Sequence, residues 1–293
     1  MDTVVDRITA AQIHSDPYAY LTTTEGLDPD YYGKLAAQFP DLRELTRTVG
    51  GAEAVQQFNN SNNLLVHING QKAINRELPI HPIWRGFMKT HFSSRFYRRV
   101  IGALGDGIRQ TYPDLENRLG KKLEHLTVQP RLHEDRGADV FLDIQFAYNT
   151  PVVAPTRVRA RHVDDPKKLF SGLFYMRAPD DDSQGGNLEI CRWRGQPKFR
   201  NPFIPGQEVQ NTHIDEDQSE LVDVIDYQAN TLLMFVNSPS AIHGVTARPP
   251  TPHIRRYINI IAELREPLYD IMAYQDNVSP WALMAGNGSP ARP

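Results

Sequence analysis

Two hydrophobic periods divide the chain. Up to about residue 125, apolar residues recur mainly at three- and four-residue spacing, the period of a helix with one buried face. Asp30 to Phe39 and Ser93 to Leu119 show it, and Ser93-Ser-Arg-Phe-Tyr-Arg-Arg-Val-Ile-Gly-Ala-Leu is the clearest amphipathic stretch. Pro113 lacks the backbone N–H and predicts a break after Tyr112. From Leu126 the pattern changes to short apolar runs between Gly, Pro and Asn turns, the signature of strands. No helix long enough for a parallel crossover separates them, so an antiparallel sandwich or jelly roll is expected. The predicted class is α+β: a mainly helical region over 1–125, a jelly-roll core over 126–276 and a flexible tail over 277–293, forming one structural domain. The polar stretch 193–226 reads as a long excursion from the sheet, and Asn59-Asn-Ser-Asn-Asn63 as a turn.

His-x-Asp occurs four times, at His14, His133, His162 and His213, and context chooses among them. His14 lies in a polar stretch that reads as helix or loop. His133-Glu-Asp135 reads as the tip of a hairpin between Leu126–Leu132 and Val140–Ala147. His213 sits in an acidic, loop-like stretch too near His243 to leave room for intervening strands. His162-Val-Asp164 alone has strand patterns on both sides and a histidine, His243, well downstream in an apolar run. In an extended segment residues i and i+2 share a face, so His162 and Asp164 form a two-point clip, while Asp165 points away. Two imidazoles and one carboxylate on one face of a metal suit non-haem Fe(II), because the opposite positions stay open for oxygen and a chelating co-substrate.

Composition narrows the class. With 293 residues, 40% hydrophobic, the chain can bury a sizeable core. A net charge of −3 argues against a broad nucleic-acid-binding face. No run of about 18 apolar residues suggests a membrane span, and the N-terminus shows no basic-then-apolar leader, so a cytoplasmic protein is expected. The single cysteine, Cys191, excludes an intramolecular disulfide and reads as a small packed residue of a strand. Lys167 and Lys168 read as solvated. The sequence does not set an oligomeric state.

The chain resembles the 2-oxoglutarate/Fe(II)-dependent dioxygenase superfamily of double-stranded β-helix enzymes. The resemblance covers roughly the second half. It rests on His162-Val-Asp164, Ser183-Gln-Gly-Gly-Asn-Leu-Glu-Ile190, Thr231-Leu-Leu-Met-Phe235 leading to His243-Gly-Val-Thr246, and Arg255-Arg256-Tyr-Ile-Asn-Ile260, in the family's order. It implies His162, Asp164 and His243 as iron ligands, and a basic residue after the distal histidine that binds the far carboxylate of 2-oxoglutarate. Strand alternation puts Arg256 on the face of Ile258 and Ile260, taken as the interior, and so selects Arg256 over Arg255, with Tyr175 as a second co-substrate contact. Gln145, Arg159 and Arg192 are the substrate candidates, although strict alternation turns Arg157, Arg159 and Arg161 away from the metal unless a bulge intervenes. Prolyl-hydroxylase-like members often carry Tyr where this chain has Arg159. The implied activity forms succinate and CO2 while hydroxylating or desaturating an unactivated C–H bond of a small molecule, such as an amino acid or natural-product intermediate, with O2 as oxidant and ascorbate as reductant. A carboxylate at 164 points away from halogenation. A peptidyl or protein hydroxylase, and a non-enzymatic jelly-roll binding protein, are the alternatives.

Overall fold

The computed structural model describes residues 2–75, 77–133, 137–199 and 211–274. In chain order its elements are β1 (Ile13–His14), β2 (Tyr20–Thr23), α1 (Pro29–Ala37), α2 (Leu42–Asn59), β3 (Leu65–Asn69), α3 (Gly70–Ile74), α4 (Pro82–His91), α5 (Ser94–Thr111) and α6 (Leu115–Leu119). Then come β4 (Val128–Pro130), β5 (Val140–Asn149), β6 (His162–Asp164), β7 (Lys168–Tyr175), β8 (Leu188–Trp193), β9 (Asn211–His213), β10 (Ser219–Ile225), β11 (Leu232–Val236), β12 (Ile242–Val245) and β13 (Arg255–Leu264).

The helices start where the sequence supplies caps. Asp28 accepts from the backbone N–H groups of Asp30 and Tyr31 ahead of Pro29, and Ser93 accepts from Phe96 N–H. α5 buries Phe96, Tyr97, Val100, Ile101, Leu104 and Ile108, the expected three- and four-residue stripe, and ends before Pro113.

The strands form two sheets. The larger has the order β1-β2-β11-β7-β13-β5-β3, with β4 also pairing β5, and the smaller has the order β10-β8-β12-β6-β9. From β5 onward the chain alternates between them: β5, β7, β11 and β13 lie in the larger sheet and β6, β8, β10 and β12 in the smaller. That interleaving is the jelly roll the sequence implied. The larger sheet is buried on both faces. Leu142, Ile144, Phe146, Ile258, Ile260, Leu232 and Met234 pack outward with Trp84, Phe87 and Leu104 of the helices. The opposite face, with Leu233 and Phe235, meets Leu188, Ile190 and Val245 of the smaller sheet.

Three local expectations are corrected, and a fourth lies outside the described residues. The first 125 residues contribute strands as well as helices, with β1–β3 widening the larger sheet on both edges, so His14 lies in a strand. β4 runs parallel to β5 instead of forming a hairpin with it, and His133 is exposed. The described part of 193–226 contains two further strands, because β10 pairs with β8 and β9 pairs with β6, placing His213 opposite His162 in register. β10 exposes Leu221 and Val222 at its middle, so its apolar residues do not alternate as those of a strand with one buried face would. The expected flexible tail, 277–293, lies outside the described residues.

Candidate active site

β6 and β12 are antiparallel neighbours with His162 and His243 directly paired. In β6, Val163 enters an outer apolar cluster with Cys191 and Ile242. His162 and Asp164 therefore face the space between the sheets, as a period of two requires. The ligating atoms of His162, Asp164 and His243 lie within 4.8 Å of one another, and all three residues are buried.

Hydrogen bonds orient each group. The Nδ1 atoms of His162 and His243 lie 2.8 and 3.0 Å from the carbonyls of Ala160 and Ala241. A carbonyl can only accept, so both Nδ1 atoms carry the proton and the Nε2 lone pairs are the ones left to bind a metal, that of His162 now receiving Arg159 Nε at 3.4 Å. Asp164 Oδ2 accepts from the Ser171 hydroxyl at 2.6 Å and lies 3.2 Å from Lys168 Nζ. Its Oδ1 is turned to the imidazoles, 3.8 Å from His162 Nε2 and 3.9 Å from His243 Nε2. Burial and the adjacent His243 hold the His162 imidazole well below the ordinary histidine range, and burial also lowers His243. Burial opposes the Asp164 charge, but the Lys168 ammonium and the Ser171 hydroxyl offset it and the carboxyl lies below the usual range. Two neutral imidazoles and one carboxylate are the protonation states a divalent cation needs. The donor set thus fits Fe(II).

A second polar cluster surrounds the start of β13. The Arg255 guanidinium is 1% exposed and donates to Gly186 O at 2.8 Å, Asn149 Oδ1 at 3.0 Å and the Tyr175 hydroxyl at 3.1 Å. It lies among the rings of Tyr175, Tyr227 and Tyr257, 4.6–5.1 Å from their centroids. The Gly185-Gly186 turn allows this approach: both glycines have positive φ, a Cβ on Gly185 would stand 1.9 Å from Ala247 O, and one on Gly186 3.0 Å from Arg255 Cδ.

Arg256 points the other way, corrected from the expected interior position. Its Nε donates to Met176 O, and its guanidinium sits 5.1 Å over the Phe39 ring on the helix side. Strand parity was read properly but the faces were exchanged. Helices cover the outer face, so the aliphatic side with Ile258 and Ile260 faces them, and the side with Arg255, Tyr257 and Asn259 faces the jelly-roll interior.

The remaining candidates separate. Arg159 approaches the metal face, its Nε 3.4 Å from His162 Nε2, because the regular strand begins only at His162. Arg161 and Arg157 instead engage Glu189. Gln145 lies on the inner face of β5 and donates to Asp143. Arg192 is held at the surface by Asp16 and Glu220, away from the triad. Ser171 and the largely buried Lys168 escaped sequence reasoning. Ser171 looks like any small strand residue, and Lys168 follows Lys167 in what reads as a solvated pair.

No family model matches the chain, and no curated protein matches it. Among solved structures it is similar to a prolyl-4-hydroxylase of Pseudomonas putida, at 14% identity and TM-score 0.38, covering 85% of this chain and 95% of that one. It is also similar to a prolyl 4-hydroxylase of Phytophthora capsici, at 11% identity and TM-score 0.42, covering 90% and 65%. A rice dioxygenase for auxin oxidation follows at 13% identity and TM-score 0.36, covering 85% and 74%. Among the described residues no helix is long and apolar enough to cross a membrane.

Proposed function

We propose that the protein is an Fe(II)- and 2-oxoglutarate-dependent oxygenase that hydroxylates or desaturates an unactivated C–H bond of a small molecule. The observation that carries this reading is the convergence of Asp164 Oδ1 and two Nε2 atoms, with every competing lone pair or proton of the three side chains engaged elsewhere. His162, Asp164 and His243 would hold the iron, which with 2-oxoglutarate and O2 supplies the oxidising chemistry, yielding succinate, CO2 and, in hydroxylation, an alcohol from R–H.

Arg255 and Tyr175 take the co-substrate role expected of Arg256 and Tyr175. A buried guanidinium without a carboxylate is costly, and among the described residues Arg255 has none. Gly186, Asn149 and Tyr175 take three of its five N–H groups, leaving donor capacity for the far carboxylate of 2-oxoglutarate. Tyr175 accepts from Arg255 and keeps its own proton to donate, and burial raises its pKa. Leu188, Ile190 and Phe235 supply the apolar walls that exclude water from the oxidising centre. Gln145 and Arg159 line an adjoining cavity of about 280 Å³, at the small end of ligand sites and suited to a small molecule.

The test is succinate formation in air by protein prepared anaerobically with Fe(II), ascorbate and 2-oxoglutarate. Asp164→Ala should lower it by more than the roughly 10- to 100-fold that loss of a ligand's hydrogen-bond partner costs. Equal turnover by that variant would contradict the assignment.

A further inference from the structure

The cavity beside the triad is lined by charges of both signs: Arg131, Arg159 and Lys168 against Asp165 and Glu263. On the larger-sheet wall, Arg131 Nη1 lies 3.2 Å from Asp143 and its Nε 3.2 Å from Glu263, so two carboxylates share one guanidinium. Asp143 is fully engaged, accepting also from Asn69 at 2.6 Å and Gln145 at 2.8 Å. Lys168, paired across the strands with Glu263, has its ammonium 3.2 Å from Asp164. Glu263 lines the cavity together with Lys168 and Asp165, has only the shared Arg131 as ion-pair partner, and has its pKa raised by burial, an effect that a cationic ligand group would offset.

The opposite wall is formed by Arg159, on the segment entering the smaller sheet. Among the described residues no carboxylate pairs with it. Its Nε approaches the His162 Nε2 lone pair, the same pair a metal would take. Metal binding and that hydrogen bond exclude each other, so the loaded site leaves the whole guanidinium facing the cavity. His67, also in the lining, is held by burial at about 4 and adds no charge at neutral pH.

We propose that this cavity binds a zwitterion, a free amino acid or a compound with the same dipolar head, its anionic group on Arg159 and its cationic group on Glu263. The proposal rests on the oxygenase reading and names the substrate class of that site. A neutral ligand would leave Arg159 without a counter-ion and Glu263 with only its shared Arg131, and a singly charged one would relieve only one of the two. The volume, about 280 Å³, suits one amino acid with a modest side chain better than a peptide. Asn259, whose amide donates to Gln145 Oε1 at 2.9 Å, keeps its carbonyl oxygen as a further acceptor between the walls.

The experiment is an anaerobic titration of the full-length protein. The Fe(II)·2-oxoglutarate absorption band is formed first, and free L-amino acids are then added, each beside its N-acetyl and carboxamide derivatives, with succinate release in air measured in parallel. The expected result is that at least one free amino acid perturbs the band and accelerates succinate release, and that removing either head charge weakens both effects by about 100-fold or more. Arg159→Gln should raise the concentration needed for half the effect about 10- to 100-fold while moving the 2-oxoglutarate midpoint less than about twofold, and Arg159→Lys should recover part of the loss. The inference is overturned if the band forms but free amino acids change neither readout, if the blocked derivatives act equally well, or if Arg159→Gln chiefly weakens 2-oxoglutarate. A wild-type protein that forms no band overturns the oxygenase reading itself, and this one with it.

Discussion

Asp164 divides its oxygens between two tasks. Ser171 and Lys168 occupy Oδ2, which fixes the carboxylate plane and leaves Oδ1 directed at the two Nε2 atoms. Ser171→Ala removes the neutral donor and keeps the fold, so Fe(II) affinity should fall about 10-fold, read by anaerobic titration; an unchanged affinity would show that Lys168 alone orients Asp164. The two adjacent arginines make the sharpest contrast at this scale. Arg255→Ala should raise the 2-oxoglutarate concentration for half-maximal succinate formation by about 10- to 100-fold, the worth of one or two charge-assisted hydrogen bonds, while Arg256→Ala should move it by less than about twofold. The reverse order would return the co-substrate contact to Arg256. The triad was legible in the sequence because its three residues are separated by strand-length segments with one consistent parity. Arg255 was not, because a sheet buried on both faces offers two apolar sides and alternation alone does not say which one is inside.

Helix α4 carries a titratable group into the core. His91, its last residue, stacks on Phe87 at 3.9 Å between ring centroids, accepts from Val4 N–H through Nε2 and meets Phe87 O through Nδ1. Burial holds its pKa at about 4, with the Phe87 carbonyl and Asp6 offsetting part of that effect. The unfolded chain, with an ordinary histidine value near 6.5, therefore binds a proton that the folded chain refuses between those limits. This contribution to stability is complete above about pH 6.5 and is lost as pH falls toward 4, amounting to roughly 3 kcal/mol. Urea midpoints should fall over that window in wild type and fall less in His91→Gln, which starts lower; parallel curves would show that His91 does not set the slope. The amphipathic period and caps announced α1 and α5, since one face of each is polar. β10 was hidden for a different reason: a sheet-edge strand with an exposed middle needs no apolar alternation.

Across the whole molecule, the order of strands converts distant sequence into one site. β6, β7, β12 and β13 bring residues 162, 164, 171, 243 and 255 to the space between two sheets, and the helices cover the outer face of the larger one. The sequence predicted the jelly roll from its short strands, but the cavity charges depend on residues far apart in the chain: Arg131, Asp143 and Glu263 meet only after β5 and β13 pair. The most direct test of the central claim is an anaerobic titration of the protein with Fe(II) and then 2-oxoglutarate, followed by absorption, in wild type and in Asp164→Ala. The account predicts one Fe(II) bound per wild-type chain, a band that appears on adding 2-oxoglutarate, and neither in the variant. Wild-type protein that binds no Fe(II), or a variant that binds it equally well, would contradict the account.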